Sequence, residues 1–330
     1  MKKIINEPVH ILDEMLEGFA YANPHIVRRL EGTNVIYRQF EDEGKVALVS
    51  GGGSGHEPSH AGFVGKGMLS AAVCGEVFTS PTPDQVFEGI KVADQGAGVL
   101  LIIKNYTGDV MNFEMAAEMA EMEGIKVEQL IVNDDIAVED SLYTAGKRGV
   151  AGTVIVHKML GAAAASGLSL AEVRTLGENI NANLKTIGVA ISAATVPAVG
   201  KPGFEIAEDE MEYGVGIHGE PGYRREKLKQ SHEIAQELVQ KLKEDFNWVK
   251  GERYGILING LGATPLMEQF IFTNDIAKLL DKEELQIEFK KVGSLMTSID
   301  MAGISLTLLK IIDDKWIDYW NYAVETTDWA

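Results

Sequence analysis

Val46-Ala-Leu-Val-Ser-Gly-Gly-Gly-Ser-Gly-His-Glu-Pro-Ser-His60 decides how this chain reads. A short apolar run with β-branched residues has the pattern of a buried strand. It ends in four glycines, a serine and His56. Glycines let backbone N–H groups approach a ligand closely, and the C-terminal ends of strands are where open α/β sheets bind ligands. The stretch is expected to be a glycine-rich loop that forms one wall of a small-molecule site. It has no G-x-G-x-x-G spacing and no closing Gly-Lys-Ser/Thr, so it fits neither a dinucleotide fingerprint nor a P-loop. The pairs Gly65-Lys66, Gly146-Lys147 and Gly200-Lys201 also lack the following Ser or Thr.

Outward from this stretch, the first half alternates apolar runs with helical segments. Leu69 to Cys74, Gly98 to Ile103 and Lys126 to Val132 read as strands; Met111 to Glu123 reads as a helix stopped by Gly124. Strands that are apolar throughout, with helices between them, imply a largely parallel sheet covered on both faces. Gly152 to Ser166 reads as an alanine-rich helix, and Ser169 as the N-cap of the next. The second half is mixed. Thr186 to Ser192 and Tyr254 to Asn259 are strand-like, the latter opening a helix near Thr264. Arg224 to Phe246 reads as one charged amphipathic helix. Ile304 to Lys310 and Trp316 to Trp320 alternate like antiparallel edge strands. The expected architecture is two α/β domains, 1–183 and 184–330, with a smaller, mixed-sheet C-terminal domain.

Composition bounds the partners. The 330 residues include 30 Lys+Arg against 49 Asp+Glu, a net charge of −19, which repels nucleic acid and anionic membranes. No apolar run is long enough to span a bilayer. The single cysteine, Cys74, allows no internal disulfide and suits a reducing cytoplasm.

Two further stretches place reactive side chains among glycines. Lys104-Asn-Tyr-Thr-Gly-Asp109 follows an apolar strand, so Lys104 and Asp109 face the crevice of the first stretch. Lys104 can donate to a substrate oxygen, and Asp109 can accept a hydroxyl proton. Gly214-Val-Gly-Ile-His-Gly-Glu-Pro-Gly222 presents His218 with little bulk around it, as suits a base or nucleophile. His25, His157 and His232 read as ordinary. A zinc pair of His56 and His60 lacks a third ligand, so no metal is assigned.

Together with Gly75-Glu-Val-Phe-Thr-Ser-Pro81 and Asn259-Gly-Leu-Gly-Ala-Thr-Pro265, these stretches resemble the dihydroxyacetone kinase family, in particular its stand-alone dihydroxyacetone-binding subunit. The resemblance implies that His218 adds to the ketone carbon of dihydroxyacetone as a covalent hemiaminal. It implies that Gly53, Ser54, Gly55, His56, Lys104 and Asp109 line the substrate, with His56 and Asp109 as its acid/base pair. It also accounts for the missing nucleotide loop. The chain itself carries no cofactor, while ADP and magnesium sit on an L-type partner subunit that is recharged through an M-type phosphotransferase-system subunit. A homodimer is implied as well. A dihydroxyacetone-sensing relative that acts on a transcription regulator is the alternative.

Overall fold

A computed structural model describes residues 2–139 and 144–329; Met1 and Ala330, the outer limits of the two expected domains, lie outside the described residues. The first sheet contains β1 (Val27–Arg29), β2 (Val35–Arg38), β3 (Ala47–Ser54), β4 (Ala71–Val77), β5 (Val99–Lys104) and β6 (Val127–Val132). Their order is β1-β2-β4-β3-β5-β6, parallel from β4 to β6 and antiparallel at the β1–β2–β4 end. Helix α1 (Ile11–Ala22) precedes it, and α2 (Pro83–Ala93), α3 (Thr107–Met122), α4 (Gly152–Ala165) and α5 (Leu170–Ala182) cover it. Alternate residues of the central strands feed two cores. Val49, Leu101 and Ile103 pack with Phe87, Ile90 and Phe113 of α2 and α3. Leu48, Leu100 and Ile102 pack with Leu16, Val154 and Leu160 of α1 and α4. Burial on both faces explains the unbroken apolar runs Ala47 to Val49 and Val99 to Ile103.

The glycines lie in a different setting from the loop the sequence suggests. Strand β3 runs through Gly51, Gly52 and Gly53 and ends at Ser54, pairing Gly53 with Gly75. Side chains are excluded there by close approach. A Cβ on Gly53 would lie 2.5 Å from the Thr79 nitrogen, and one on Gly52, whose φ is +149°, would fall on the Lys104 ammonium.

The second sheet contains β7 (Leu184–Ala190), β8 (Glu210–Tyr213), β9 (Arg224–Lys227), β10 (Arg253–Gly260), β11 (Gln286–Gly293) and β12 (Gly303–Lys310), ordered β11-β10-β12-β7-β8-β9. It is mixed, as expected, with only β10–β11 parallel, and matches the first sheet in strand number. Helices α6 (Ser231–Phe246) and α7 (Leu266–Lys282) close one face over Leu238, Tyr254, Phe272 and Leu306. Leu257, Phe289 and Leu309 join the core that also holds Leu16 and Val154 of the first domain.

Three expectations fail here. Arg224–Lys227 is strand β9, because its side chains pair across the hairpin, as Arg225 does with Glu212; the helix begins only at Ser231, where Glu233 accepts the amide of the N-cap Gln230. Strand β12 is central, flanked by β10 and β7, and is buried on both faces. Trp316 to Trp320 lies in helix α8 (Lys315–Asn321), where a spacing of four brings the two tryptophans to one side. Helix α8 returns to the first domain and packs on α4, where the Lys158 ammonium donates to the Tyr319 and Tyr322 carbonyls at 2.7 and 2.9 Å.

Candidate active site

Strand order reverses at β3, with β4 on one side and β5 on the other, so the C-terminal ends of β3 and β5 open a crevice. His56 follows β3, Lys104 ends β5, and Asp109 lies in the first turn of α3. The wall opposite comes from the second domain. The hairpin between β8 and β9 carries His218, and the segment between β11 and β12 carries Thr297. Buried Arg148 fastens the hairpin, donating to Asp135 at 2.8 Å and to the Gly214 carbonyl at 2.7 Å. Asn259 fastens the Thr297 segment, accepting from the Leu295 and Met296 amides at 2.8 and 2.9 Å.

His56 and His218 meet directly, Nε2 to Nε2, at 3.1 Å. Their other nitrogens have definite partners. His56 Nδ1 lies 2.7 Å from the Thr297 carbonyl, which can only accept, so Nδ1 carries a proton and the neutral ring has a bare Nε2. His218 Nδ1 lies 3.0 Å from Glu220 Oε1, and the same carboxylate accepts the His218 amide. Glu220 is 3% exposed. Burial pushes its carboxyl up, but the hydrogen bond and charge of His218 outweigh this and hold it below the usual range. Glu220 is thus a buried anion that orients the imidazole and supports positive charge on it. His56 is fully buried, and burial first, then electrostatic interaction with His218 and Lys104, hold it well below the ordinary histidine value. It is therefore a neutral base poised against His218. Phe78, held at φ 56°, stacks on His56 at 5.2 Å, and Phe78 and Tyr106 meet the edge of His218 at 5.1 and 4.7 Å. The His218 side chain keeps 19% of its surface open.

Asp109 lies in a second group. Its Oδ1 accepts from Ser80, and its Oδ2 lies 3.6 Å from the Lys104 ammonium. Lys104 is buried, and burial lowers its pKa despite Asp109. Its ammonium points into the protein, toward the Gly51 carbonyl at 3.1 Å and His60 Nε2 at 3.0 Å.

The six expected substrate-lining residues are thus gathered at one end of β3 and β5, but several of their polar groups face inward. Ser54 Oγ donates to the Gly75 carbonyl at 2.7 Å, and the Gly55 amide donates to the Glu57 carboxylate at 3.0 Å. His60 turns away from His56 toward Lys104 and His157, so His157 is part of a polar cluster and not an ordinary helical residue. Glu220, Thr297, Phe78, Tyr106, Ser80 and Arg148 were not assigned roles from the sequence. Glu220 carried a signal, two positions after His218 in a glycine loop. Thr297 contributes a backbone carbonyl and carried none. A cavity of about 370 Å³ beside β3 opens toward α1, lined by Phe19, Glu57, His60 and Cys74; neither His218 nor Asp109 borders it.

The Dak1 domain model matches residues 17–328. The chain belongs to the Dak1 family. Among members of the family, the dihydroxyacetone-binding subunit DhaK of a PTS-dependent dihydroxyacetone kinase from Lactococcus lactis subsp. lactis is 65% identical over 329 residues, covering 100% of this chain and 99% of its own. The corresponding subunit of PTS-dependent dihydroxyacetone kinase 1 from Listeria innocua is 58% identical, with 100% of both chains covered. A solved structure described as the dihydroxyacetone kinase operon co-activator Dha-DhaQ superposes with a TM-score of 0.92 at 44% identity, covering 98% of this chain and 99% of that one. The expected family and two-domain α/β fold are therefore both shown.

Proposed function

We propose that this chain is the dihydroxyacetone-binding subunit of a phosphotransferase-system-dependent dihydroxyacetone kinase. The observation that carries the reading is His218 itself, a partly open imidazole backed by a buried carboxylate and facing a neutral base at 3.1 Å. That is the equipment of a nucleophile. With its Nδ1–H donated to Glu220, the neutral His218 ring attacks the ketone carbon through its Nε2 lone pair. The carbonyl π pair moves to oxygen, which takes a proton that His56 Nε2 has drawn from solvent. The product is a hemiaminal with positive charge on the His218 ring, balanced by Glu220, and His56 ends neutral. Glycerol has no carbonyl carbon to attack, so the step selects ketones where size alone discriminates poorly.

Asp109 then accepts the proton of a terminal hydroxyl as that oxygen attacks phosphorus. The phosphoryl group comes from a nucleotide on a partner subunit, recharged from phosphoenolpyruvate by the phosphotransferase system. This accords with the absence of any nucleotide loop in the sequence. A cytoplasmic homodimer is part of the proposal. Leu266, Met267, Phe270 and Ile271, exposed along α7, supply an apolar face for it.

The sensing alternative has support in the co-activator's likeness of fold, but the 65% identity to a kinase subunit exceeds the 44% to the co-activator and favours the kinase. The test combines binding with turnover. Dihydroxyacetone labelled with carbon-13 at its ketone should move from the carbonyl to the tetrahedral region on mixing, and donor subunits should then yield dihydroxyacetone phosphate. Turnover that survives His218→Ala together with Asp109→Ala would overturn the assignment. An adduct without turnover would return the protein to the sensing class.

A further inference from the structure

Behind the glycine strand a row of buried polar side chains runs inward from Lys104. Lys104 Nζ is 3.0 Å from His60 Nε2, and His60 Nδ1 is 2.8 Å from His157 Nε2. Ser50 Oγ, which donates to the Ile102 carbonyl, lies 3.4 Å from His60 Nδ1. The Lys104, His60, His157 and Ser50 side chains are all buried.

Three uses of such a row can be separated. A metal pair fails because His60 Nε2 already faces a cation. A proton relay needs an exit, yet His157 Nδ1 is buried without a partner. The remaining use is to hold Lys104 in place. The ammonium has three N–H groups and three neighbours, the Gly51 carbonyl at 3.1 Å, His60 at 3.0 Å and Asp109 at 3.6 Å. The first two lie within hydrogen-bond range, and the last lies beyond it. Lys104 is thus pulled toward the strand and kept short of Asp109.

We propose that His60 is a positioning residue for phosphoryl transfer, which by accepting a hydrogen bond from Lys104 holds the ammonium at ion-pair range of Asp109, short of a hydrogen bond, and leaves Oδ2 free to accept from the substrate hydroxyl. His157 sets the tautomer. By accepting from His60 Nδ1, it leaves Nε2 bare to receive the lysine N–H. Ser80 already occupies Asp109 Oδ1, so a lysine closing on Oδ2 would compete with the substrate for the oxygen that remains. Adduct formation uses His218, His56 and Glu220, none of which belongs to this row. The proposal rests on the kinase reading.

The test uses the full chain with its donor subunits and three variants. The His60→Gln side chain places an amide oxygen near the former Nε2 and restores the acceptor. His60→Asn reaches only as far as Nδ1 and leaves Lys104 without one. His60→Leu removes both polar functions. The expected result is a kcat about tenfold or more lower in His60→Asn and His60→Leu, recovery in His60→Gln, and an unchanged carbon-13 adduct titration in all three. Thermal melts of the Gln and Asn variants establish that both are folded. With an active wild type, equal kcat in those two variants, or a loss of adduct that parallels the loss of kcat, overturns the role of His60 alone. A wild-type chain that forms neither adduct nor product overturns the kinase reading and this inference together.

Discussion

Replacing Glu220 by glutamine isolates the charge behind His218. The substitution keeps the shape of a side chain that is 3% exposed, and a carboxamide oxygen can still accept from Nδ1 at the 3.0 Å seen for Glu220 Oε1. At Nδ1 only the anion is lost. A hydrogen bond to a charged group contributes about 1.5–3 kcal/mol and a neutral one about 0.5–1.5, so the bond weakens by about 1–1.5 kcal/mol. The adduct carries its positive charge on the same ring, and this loss therefore appears directly in the adduct equilibrium as a roughly tenfold weaker apparent affinity. A second effect is confined to the hairpin. The carboxylate's other oxygen accepts the His218 amide, and the glutamine NH₂ cannot, which costs about 1 kcal/mol of stability. The assay is the carbon-13 titration, with a urea melt to measure the second effect. A Glu220→Gln protein that is folded and binds within twofold of wild type would refute the claim that the carboxylate's charge stabilises the adduct.

Three further outcomes are expected. Burial first, then the Lys104 charge, brings the His157 pKa down to about 3, so between about pH 6.5 and 3 the unfolded chain binds the extra proton and stability falls as pH drops, by at most about 1.4 kcal/mol per pH unit from this residue; urea midpoints at pH 7.5, 6.5 and 5.5 should fall less steeply in His157→Leu, and parallel lines would contradict the account. Gly52→Ala sets a methyl group on the Lys104 ammonium at a φ that side chains avoid, so about 1–3 kcal/mol of stability and most transfer activity should be lost, whereas wild-type melting and rate would show that the strand end has room. Trp316→Ala removes the largest buried side chain of α8 and should cost about 3–5 kcal/mol, read as a fall in Tm, and a shift within error would mean that α8 docks without it.

Where the sequence was readable, one physical rule dominated each segment. Ala47 to Val49 of β3 and Val99 to Ile103 of β5 are buried on both faces and apolar at every residue; Ser169 caps α5 through a reciprocal bond with Glu172. Where two rules competed, the reading failed. The charges of Arg224 to Lys227 continue into those of α6, and cross-strand pairing with β8, including Arg225 with Glu212, and the Lys227 bond to Asp209 make them a strand. The alternation of Ile304 to Lys310 resembles an edge, because Ser305 and Thr307 look solvated, yet both are buried in the centre of the sheet, with Thr307 bonded to Thr186 at 2.7 Å. At the site, side chains presented by glycines were legible, and their supports were not. His218 announces itself in its loop. Thr297 acts through a carbonyl that any residue could provide, and His157 meets His60 only because α4 lies behind β3. These depend on tertiary proximity across 241 residues in one case and 97 in the other.

The segment that carries Thr297 grips the opposite domain at several points. The Thr297 amide donates to the His56 carbonyl, the Ile299 amide to the Gly55 carbonyl, and Ser59 Oγ to the Leu295 carbonyl. The single contact that dictates the His56 tautomer is part of this clasp. Readiness for chemistry and closure of the two halves are therefore one measurement. If the halves part by even an ångström or two, the imidazole is released to choose either nitrogen, and the base disarms itself. The protein thus has a built-in interlock, in which the nucleophile finds its base only while the halves are locked together.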